Sequence, residues 1–341
     1  MKRLLALISI FTLLLAGCSQ VPAAAQPKQY TATFLDLFDT VTTVLGKDST
    51  EEAFRAKAQA IHDQLLYYHQ LFDIYNDYEG VVNLKTVNDQ AGKAPVTVDP
   101  AIIALLKDCQ SYYDRTGGKV NVAMGSVLYL WHVARNDGIR DPMHAQLPDA
   151  AALADAANHT AFDSIVIDEQ ACTVFITDPQ LRLDVGAVAK GWAAQKVAEN
   201  TPQGMLISVG GNVCAPGPKA DGSAWVVGVQ DPNNPNENLH AMYLRSGAVV
   251  TSGDYQRTYV VDGKQYHHII DPATQMPATY WRSVTVVCPD SGLADALSTG
   301  LFLMDLEEGK GLAQACGADV LWVDGNGNEY MTAGFEAILR N

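Results

Sequence analysis

Apolar positions recur along the chain with two periods, alternating in some stretches and helical in others. The segment 34–45 is apolar and β-branched, which predicts a first strand. Apolar side chains then recur at helical spacing over 54–72, which predicts a long amphipathic helix. A second helix is predicted to begin at Pro100, after Asp99, and to end at the glycine pair 117–118.

Short strands and tight turns dominate the predictions for the rest of the chain. Segment 119–132 is predicted to be extended, and 136–160 to be a loop followed by an alanine-rich helix. Asp262 and Gly263 supply the left-handed residues of a tight hairpin turn, which places the two histidines 267–268 on its return strand. Further strands are predicted at 164–167, 173–177, 205–213, 225–230, 242–245, 247–254, 283–288, 320–324 and 329–332, with a helix at 290–304.

The order of these elements predicts the fold class. Strands in the second half follow one another with few helices between them, which favours an antiparallel sheet over a repeating βαβ arrangement. We therefore predict an α+β fold. The roughly 310 residues after the first 29 contain neither a polar linker nor an internal repeat, so we expect one two-lobed domain over residues 30–341.

The first 29 residues have the pattern of an export signal and a tether. Lys2 and Arg3 precede an apolar run too short for a typical membrane span, which predicts a signal peptide at 1–17. The sequence LAGC, ending at Cys18, resembles a bacterial lipobox, which implies a lipid-modified Cys18, a flexible tether at 18–29 and anchoring to the outer face of the cell membrane. The alternative is an ordinary secretory signal with an incidental cysteine.

Charge and cysteine content limit the possible partners. The formal charge of −15 opposes binding to nucleic acid or to an anionic membrane surface. An anionic substrate would need local cations or a metal, which makes Mg²⁺ chemically attractive. The five cysteines beyond Cys18 are widely spaced without a CxxC pair, so we expect buried thiols and no zinc site.

The segment LRLDVGAVAKGWA, residues 181–193, is a candidate phosphate and metal site. An apolar, strand-like run ends at Asp184, small residues follow, and Lys190 lies in the first turn of a predicted helix. Small residues let a ligand approach the backbone, and the carboxylate and the cation suit a metal and a phosphate. The alternative is a packed turn in which Asp184 is an N-cap.

Two further segments carry candidate chemistry. In HHIIDP, strand alternation sends the histidines to opposite faces, and a local turn could bring His268 and Asp271 to one ligand as a general base and its charged neighbour. In DALSTG, Asp295 and Thr299 lie four residues apart on one helix face beside Ser298, which suits a hard cation. The alternatives are a surface hairpin with an Asp-Pro turn, and an aspartate that interacts with the helix dipole.

Together and in this order, these segments resemble the ApbE family of FAD-dependent flavin transferases. The resemblance covers nearly the whole chain after the signal segment. It is carried by FDT, DIYNDYEGVVNLKTVN, DVGAVAKG, SVGGN, TSGDY, HHIIDP and DALSTG. It implies a two-lobed, T-fold-related α+β body with mainly antiparallel sheets flanked by helices. One departure is Gln275, which follows Thr274 where the family usually has glycine, so we expect an altered turn.

The resemblance also implies residue roles. His268 would be catalytic, and Mg²⁺ would be bound by the backbone carbonyl of Ala187 and the side chains of Asp295 and Thr299, with Ser298 a further candidate. The positions implied to bind FAD are Phe38, Tyr75, Lys119, Val120, Asn121, Asp184, Lys190 and Ser283. Without the resemblance, Tyr75 could equally be an aromatic at the edge of the core.

The reaction that the resemblance implies is transfer of FMN from FAD to a threonine or serine hydroxyl of a target protein, with release of AMP. We expect the acceptor to be an extracytoplasmic redox subunit. Two alternatives stay open: hydrolysis of FAD to FMN and AMP at the same centre, and a flavin-binding lipoprotein without catalytic activity.

Overall fold

A computed structural model of the chain describes residues 27–234 and 236–340. The predicted signal peptide, Cys18 and the tether up to residue 26 lie outside the described residues, so these assignments remain predictions. Among the described helices, none has the length and apolar character needed to cross a membrane.

An eight-stranded sheet organises the described residues, and every neighbouring pair in it is antiparallel. Its strands, in spatial order, are β1 (Lys28–Leu37), β2 (Thr40–Asp48), β6 (Met205–Val209), β7 (Asn212–Ala215), β10 (Gly247–Gly253), β13 (Ser283–Cys288), β14 (Asp319–Val323) and β15 (Glu329–Met331). Smaller antiparallel sheets are formed by β3 (Val96–Thr97), β5 (Thr173–Ile176) and β4 (Ile165–Asp168), by β8 (Trp225–Gln230) and β9 (Asn238–Leu244), and by β11 (Tyr259–Val261) and β12 (Lys264–Tyr266). The predicted α+β class is confirmed.

The helices begin where the sequence supplies N-caps. Thr50 accepts a hydrogen bond from Ala53 N, and Asp99 accepts one from Ala101 N ahead of Pro100. The α-helices are α1 (Glu51–Phe72), α2 (Leu84–Asp89), α3 (Pro100–Arg115), α4 (Gly125–Arg140), α5 (Ala150–Ala156), α6 (Ala189–Glu199), α7 (Ser291–Phe302), α8 (Leu306–Cys316) and α9 (Ala333–Ala337). The predicted amphipathic helices at 54–72 and after Asp99 are therefore confirmed.

Both faces of the large sheet are buried, as the alternation within its strands requires. In β6, Ile207 packs towards α1 and α6, whereas Leu206 packs towards β8 and β9. The same alternation occurs in β10, where Val250 packs towards α7 and Val249 towards β8. A further core lies among α2, α3 and the three-stranded sheet, and Trp192 of α6 belongs to it. The division into two lobes remains a prediction.

Several predictions of local structure were wrong, including the three that follow. The segment 34–45 is the end of β1 and most of β2, joined by a turn at Phe38 and Asp39, which have φ values of +52° and +51°. The segment 119–132 is not extended, because α4 begins at Gly125. The run 181–184 is not a strand; Arg182 forms only an isolated parallel bridge with Met124.

Gln275 keeps the left-handed turn that a glycine would favour. Its φ is +57°, its side-chain Nε2 donates to the Pro272 carbonyl at 3.0 Å, and its own carbonyl accepts from Trp131 Nε1 at 2.8 Å. The side-chain and indole hydrogen bonds therefore hold a conformation that is strained for a residue with a Cβ.

We predict that Gln275→Gly will change the free energy of unfolding by less than about 1 kcal/mol, because relief of strain and loss of the side-chain bond oppose each other. Gln275→Val should lower it by about 1–3 kcal/mol, because a β-branched residue is poorly tolerated at positive φ. Urea denaturation of the three proteins measures both changes. A valine variant as stable as the native chain would contradict the prediction.

Candidate functional site

One cavity collects most of the residues singled out from the sequence. It is bordered by α4, the turn before α6, the end of β10 and the start of α7. The predicted residues that line it are Tyr75, Lys119, Val120, Asn121, Asp184, Ala187, Lys190, His268, Asp295 and Thr299. Segments separated by more than a hundred residues in the chain therefore contribute to one site.

A glycine lets α6 and α7 touch at this cavity. A Cβ added at Gly191 would lie 2.3 Å from the Ser291 carbonyl oxygen and 2.4 Å from Asp295 Cβ, so no larger residue fits. The approach lets Gly191 N donate to Asp295 Oδ2 at 2.8 Å. The small residues of the segment 181–193 therefore serve helix contact as well as ligand access.

This hydrogen bond also leaves the Ala187 carbonyl without the donor that a regular helix would supply. In an α-helix the N–H of residue 191 would donate to the carbonyl of residue 187. Here the Gly191 N–H is directed at Asp295, and α6 begins only at Ala189. Ala187 lines the cavity, and its carbonyl is available to bind a ligand there.

The oxygen atoms at this end of the cavity fit a magnesium ion. Asp295 is buried, and burial raises the pKa of its carboxyl group although Lys190, 4.0 Å away, opposes the shift. A buried carboxylate facing a cavity is a strong ligand for a cation, and Thr299 and the Ala187 carbonyl add two neutral oxygens. Mg²⁺ commonly uses one or two carboxylates and fills its other positions with water and phosphate oxygens. Within the described residues, no group of three or more histidine, cysteine or acidic side chains is placed to hold a metal ion.

Three of the predicted residues do not line the cavity. Ser298 is fully buried behind it and donates to the Asp295 carbonyl at 2.9 Å. Ser283 is buried in β13, paired with Gly253 and Val323. Phe38 packs edge-on against His69, with ring centroids 5.4 Å apart. Their assigned roles remain predictions, and contact with a ligand would require a change of position.

His268 lines the cavity, and one of its ring nitrogens is engaged by a backbone carbonyl. Its Nδ1 lies 3.2 Å from the carbonyl oxygen of Gln256, which can only accept, so Nδ1 carries the proton and Nε2 holds the lone pair. Burial and then the positive charge of Arg257 lower the pKa of His268 to about 3. The ring is therefore neutral at physiological pH and can accept a proton at Nε2.

Asp271 does not partner His268, contrary to the sequence-based expectation. Its Oδ1 accepts from Ala273 N at 2.9 Å and lies 3.8 Å from Lys119 Nζ. The turn after His268 directs this carboxylate to its own backbone rather than to the imidazole. The partner that sets the His268 tautomer is the carbonyl of Gln256 instead. Gln256 lies twelve residues before His268, so no short sequence motif predicts this contact.

His267 also lines the cavity, because β12 ends at Tyr266 and strand alternation no longer applies. Its Nδ1 accepts from Ile269 N at 3.2 Å, and its Nε2 donates to the Ala278 carbonyl at 2.9 Å. Both ring nitrogens are thus engaged in holding the backbone. Of these two histidines, only His268 has a ring nitrogen without a hydrogen-bond partner among the residues that the structure describes.

Two arginines at the cavity were missed by the sequence analysis. Arg135 extends from α4, and Arg257 lies in the loop before β11 with a φ of +48°. Burial and the nearby charge of Arg257 both lower the pKa of Arg135. Within the described part of the chain neither arginine forms an ion pair with a carboxylate, and Arg135 Nη2 lies 3.3 Å from His132 Nδ1. Both cations line the cavity. This arrangement suits a diphosphate.

The cavity is also lined by an aromatic pair and a half-buried acid. Tyr75 stacks on His132 with ring centroids 4.9 Å apart and an interplanar angle of 23°, and burial raises the Tyr75 pKa to about 12. Asp184 accepts from Gly186 N at 2.8 Å, and its surroundings raise the pKa of its carboxyl group. Asn121 bonds to the Thr160 carbonyl at 2.9 Å, so it also holds the loop in place. The exposed Tyr75 ring offers a surface on which a planar group can stack.

The chain is also similar in sequence to known proteins. The chain matches the ApbE family over residues 33–322. An FAD:protein FMN transferase of Treponema pallidum is 34% identical over 260 residues, which are 70% of each chain. One of Klebsiella pneumoniae is 30% identical over 279 residues, covering 78% of this chain and 84% of the relative.

Solved structures show the same relationship. The crystal structure of the ApbE protein of Thermotoga maritima is 28% identical and superposes with a TM-score of 0.81 over 92% of this chain and 100% of that one. The α+β body of this chain is therefore that of an ApbE protein. The chain belongs to the ApbE family.

Proposed function

We propose that this protein transfers the FMN moiety of FAD to a threonine or serine hydroxyl of a target protein and releases AMP. The observation that carries the proposal is the convergence, in one cavity, of a neutral histidine, the oxygen-bearing residues Asp295 and Thr299, and two arginines. The relatives in Treponema pallidum and Klebsiella pneumoniae are named for this reaction, which supports the same assignment here.

The proposed reaction follows from the positions of these groups. His268 Nε2 removes the proton from the acceptor hydroxyl, and the resulting oxygen nucleophile attacks the phosphorus on the FMN side of the diphosphate. A new phosphoester bond forms as the bond to the AMP oxygen breaks, and AMP carries away the released charge. Arg135 and Arg257 hold the diphosphate oxygens and offset their charge.

Asp295, Thr299 and the Ala187 carbonyl would hold the proposed Mg²⁺. When bound there, the ion would neutralise charge that develops on the phosphate and leaving oxygens, which is typically a larger contribution than proton transfer. Lys190 lies 4.0 Å from Asp295 and would keep this carboxylate ionised and oriented.

The proposal is tested by incubating purified protein with FAD, Mg²⁺ and an acceptor domain. A covalently fluorescent acceptor band together with released AMP is the expected result. AMP release without a labelled acceptor would indicate hydrolysis, whereas FAD binding without AMP would indicate a binding protein. Intact FAD with every acceptor tried would overturn transfer.

We also propose that the protein is anchored by a lipid on Cys18 to the outer face of the cell membrane, and that its acceptor is an extracytoplasmic redox subunit. The LAGC sequence supports this location. Labelled palmitate should enter the native protein but not a Cys18→Ser variant, and the variant should leave the membrane fraction. Equal labelling of both proteins would contradict the proposal.

We predict that Arg257→Gln will raise KM for FAD about tenfold, because a charge-assisted hydrogen bond to phosphate contributes about 1.5–3 kcal/mol. The KM of the native protein should also rise more steeply with salt than that of the variant. Arg140→Gln is the matched control, since Arg140 ends α4 with a well exposed side chain. Equal effects of the two substitutions would argue against a phosphate contact.

A further inference from the structure

A chain of hydrogen bonds of determined direction lies outside the cavity. Phe38 N donates to His69 Nδ1 at 3.1 Å, and a backbone N–H cannot accept, so the imidazole proton must lie on Nε2. His69 Nε2 therefore donates to the Tyr78 hydroxyl at 3.1 Å. That hydroxyl in turn donates to Asp73 Oδ2 at 2.7 Å. We call His69, Tyr78 and Asp73 the His69 relay.

One end of the relay holds the turn between β1 and β2. Phe38 and Asp39 both have left-handed backbone conformations, which residues with a Cβ adopt only when their surroundings hold them there. The bond from Phe38 N to His69 supplies such a restraint. Asp39 and Thr40, which directly follow, line the cavity.

The other end holds the loop that carries Tyr75. Asp73 Oδ1 accepts from Tyr75 N at 2.6 Å and from Asn76 N at 3.1 Å. The same carboxylate thus binds the Tyr78 hydroxyl with one oxygen and the backbone of the Tyr75 loop with the other. Tyr75 lines the cavity, whereas none of the three relay side chains does.

We propose that the His69 relay positions two walls of the cavity relative to each other, the 38–40 turn and the Tyr75 loop, and thereby sets the affinity for FAD. The relay residues touch neither substrate nor reacting atoms, so they are positioning residues. This inference rests on the proposed function, since it assumes that FAD occupies the cavity.

The test is removal of the middle hydroxyl. Tyr78→Phe keeps the ring that packs against His69, with centroids 6.0 Å apart, and deletes the link between the two walls. We expect the Kd for FAD to rise about fivefold with kcat within about twofold of native, because the hydroxyl loses its bonds to His69 and Asp73 while the cavity side chains are kept. Tyr67→Phe is the matched control, because it removes a tyrosine hydroxyl of α1 that interacts with Asp99 and does not line the cavity.

A double-mutant cycle separates positioning from general loosening of the fold. In a Tyr75→Ala background, Tyr78→Phe should change the Kd for FAD by much less than fivefold, because the residue that it positions is gone. An unchanged Kd for Tyr78→Phe alone, or the same rise in both backgrounds, would overturn the relay. FAD binding is measured by flavin fluorescence without an acceptor. Binding without transfer would therefore overturn only the proposed function. Absence of FAD binding by the native protein would overturn both the proposed function and the His69 relay.

Discussion

Replacing Asp295 by alanine is expected to lower kcat/KM for FAD at least about 10³-fold and to remove its dependence on Mg²⁺. Asp295 is the single acidic side chain among the proposed ligands at this end of the cavity, beside two neutral oxygens. Its loss would leave Thr299 and the Ala187 carbonyl without an anionic partner, and neutral oxygens alone hold Mg²⁺ weakly. Activity measured across a Mg²⁺ titration gives both quantities.

Asp295→Asn keeps the fold while it removes the charge. The asparagine oxygen can still accept from Gly191 N, so the contact between α6 and α7 is retained. Because burial raises the Asp295 pKa, the ionised carboxylate destabilises the folded protein above the unfolded pKa of about 3.8. We therefore expect the asparagine variant to melt at the native temperature or above it, while its activity is lost.

Ala187→Gly is the control for this experiment, because it changes a residue of the same site and keeps its backbone carbonyl. We expect activity within a few fold of native. Calorimetric titration of Mg²⁺ into the protein supplies a measurement that does not depend on turnover, and binding should be lost in Asp295→Asn but kept in Ala187→Gly. Similar losses of activity from the two substitutions, or full Mg²⁺ binding by Asp295→Asn, would contradict the assignment.

The parts of the site that depend on short-range periodicity could be predicted from the sequence. Asp295 and Thr299 are four residues apart, so a helical pattern alone puts them on one face, and α7 bears this out. The Asp262–Gly263 turn was likewise predictable, because few residue pairs adopt that conformation. In each case the signal and the structure it specifies lie within a few residues.

Features that depend on long-range contacts could not be predicted in the same way. Gly125 begins α4, although the valine, leucine and aromatic residues around it favour a strand. At this position the Gly125 N–H donates to the carbonyl of Arg182, which is distant in sequence, at 2.9 Å. Arg257 lies in a loop at positive φ and meets Arg135 only in the folded chain. No local sequence pattern predicts that these two arginines are close in the folded protein.

The second large effect is expected at His268. Replacing it by glutamine should lower kcat about 10²- to 10⁴-fold, because the amide cannot take the proton of the acceptor hydroxyl. The Kd for FAD should change little, since the imidazole is assigned to the acceptor rather than to the diphosphate. His267→Gln is the matched comparison: both nitrogens of His267 already bond to the backbone, so its loss should lower stability more than kcat.

The pH dependence separates a buried neutral base from an ordinary exposed histidine. Burial and Arg257 lower the pKa of His268 to about 3, so kcat/KM for FAD should show no acid limb near the ordinary value of about 6.5. In Arg257→Gln, which removes the charge with the largest effect on the His268 pKa, the acid limb of kcat/KM should move to higher pH.

The same residue makes folding stability depend on pH. Between about pH 3 and 6.5 the unfolded chain binds a proton at His268 that the folded protein does not bind, so stability falls as the pH is lowered. Melting temperatures must therefore be recorded at each pH. An acid limb of kcat/KM centred near pH 6.5 in the native protein, and absent from His268→Gln, would contradict the prediction. It would show that the His268 imidazole is solvated and that the cavity does not keep it neutral.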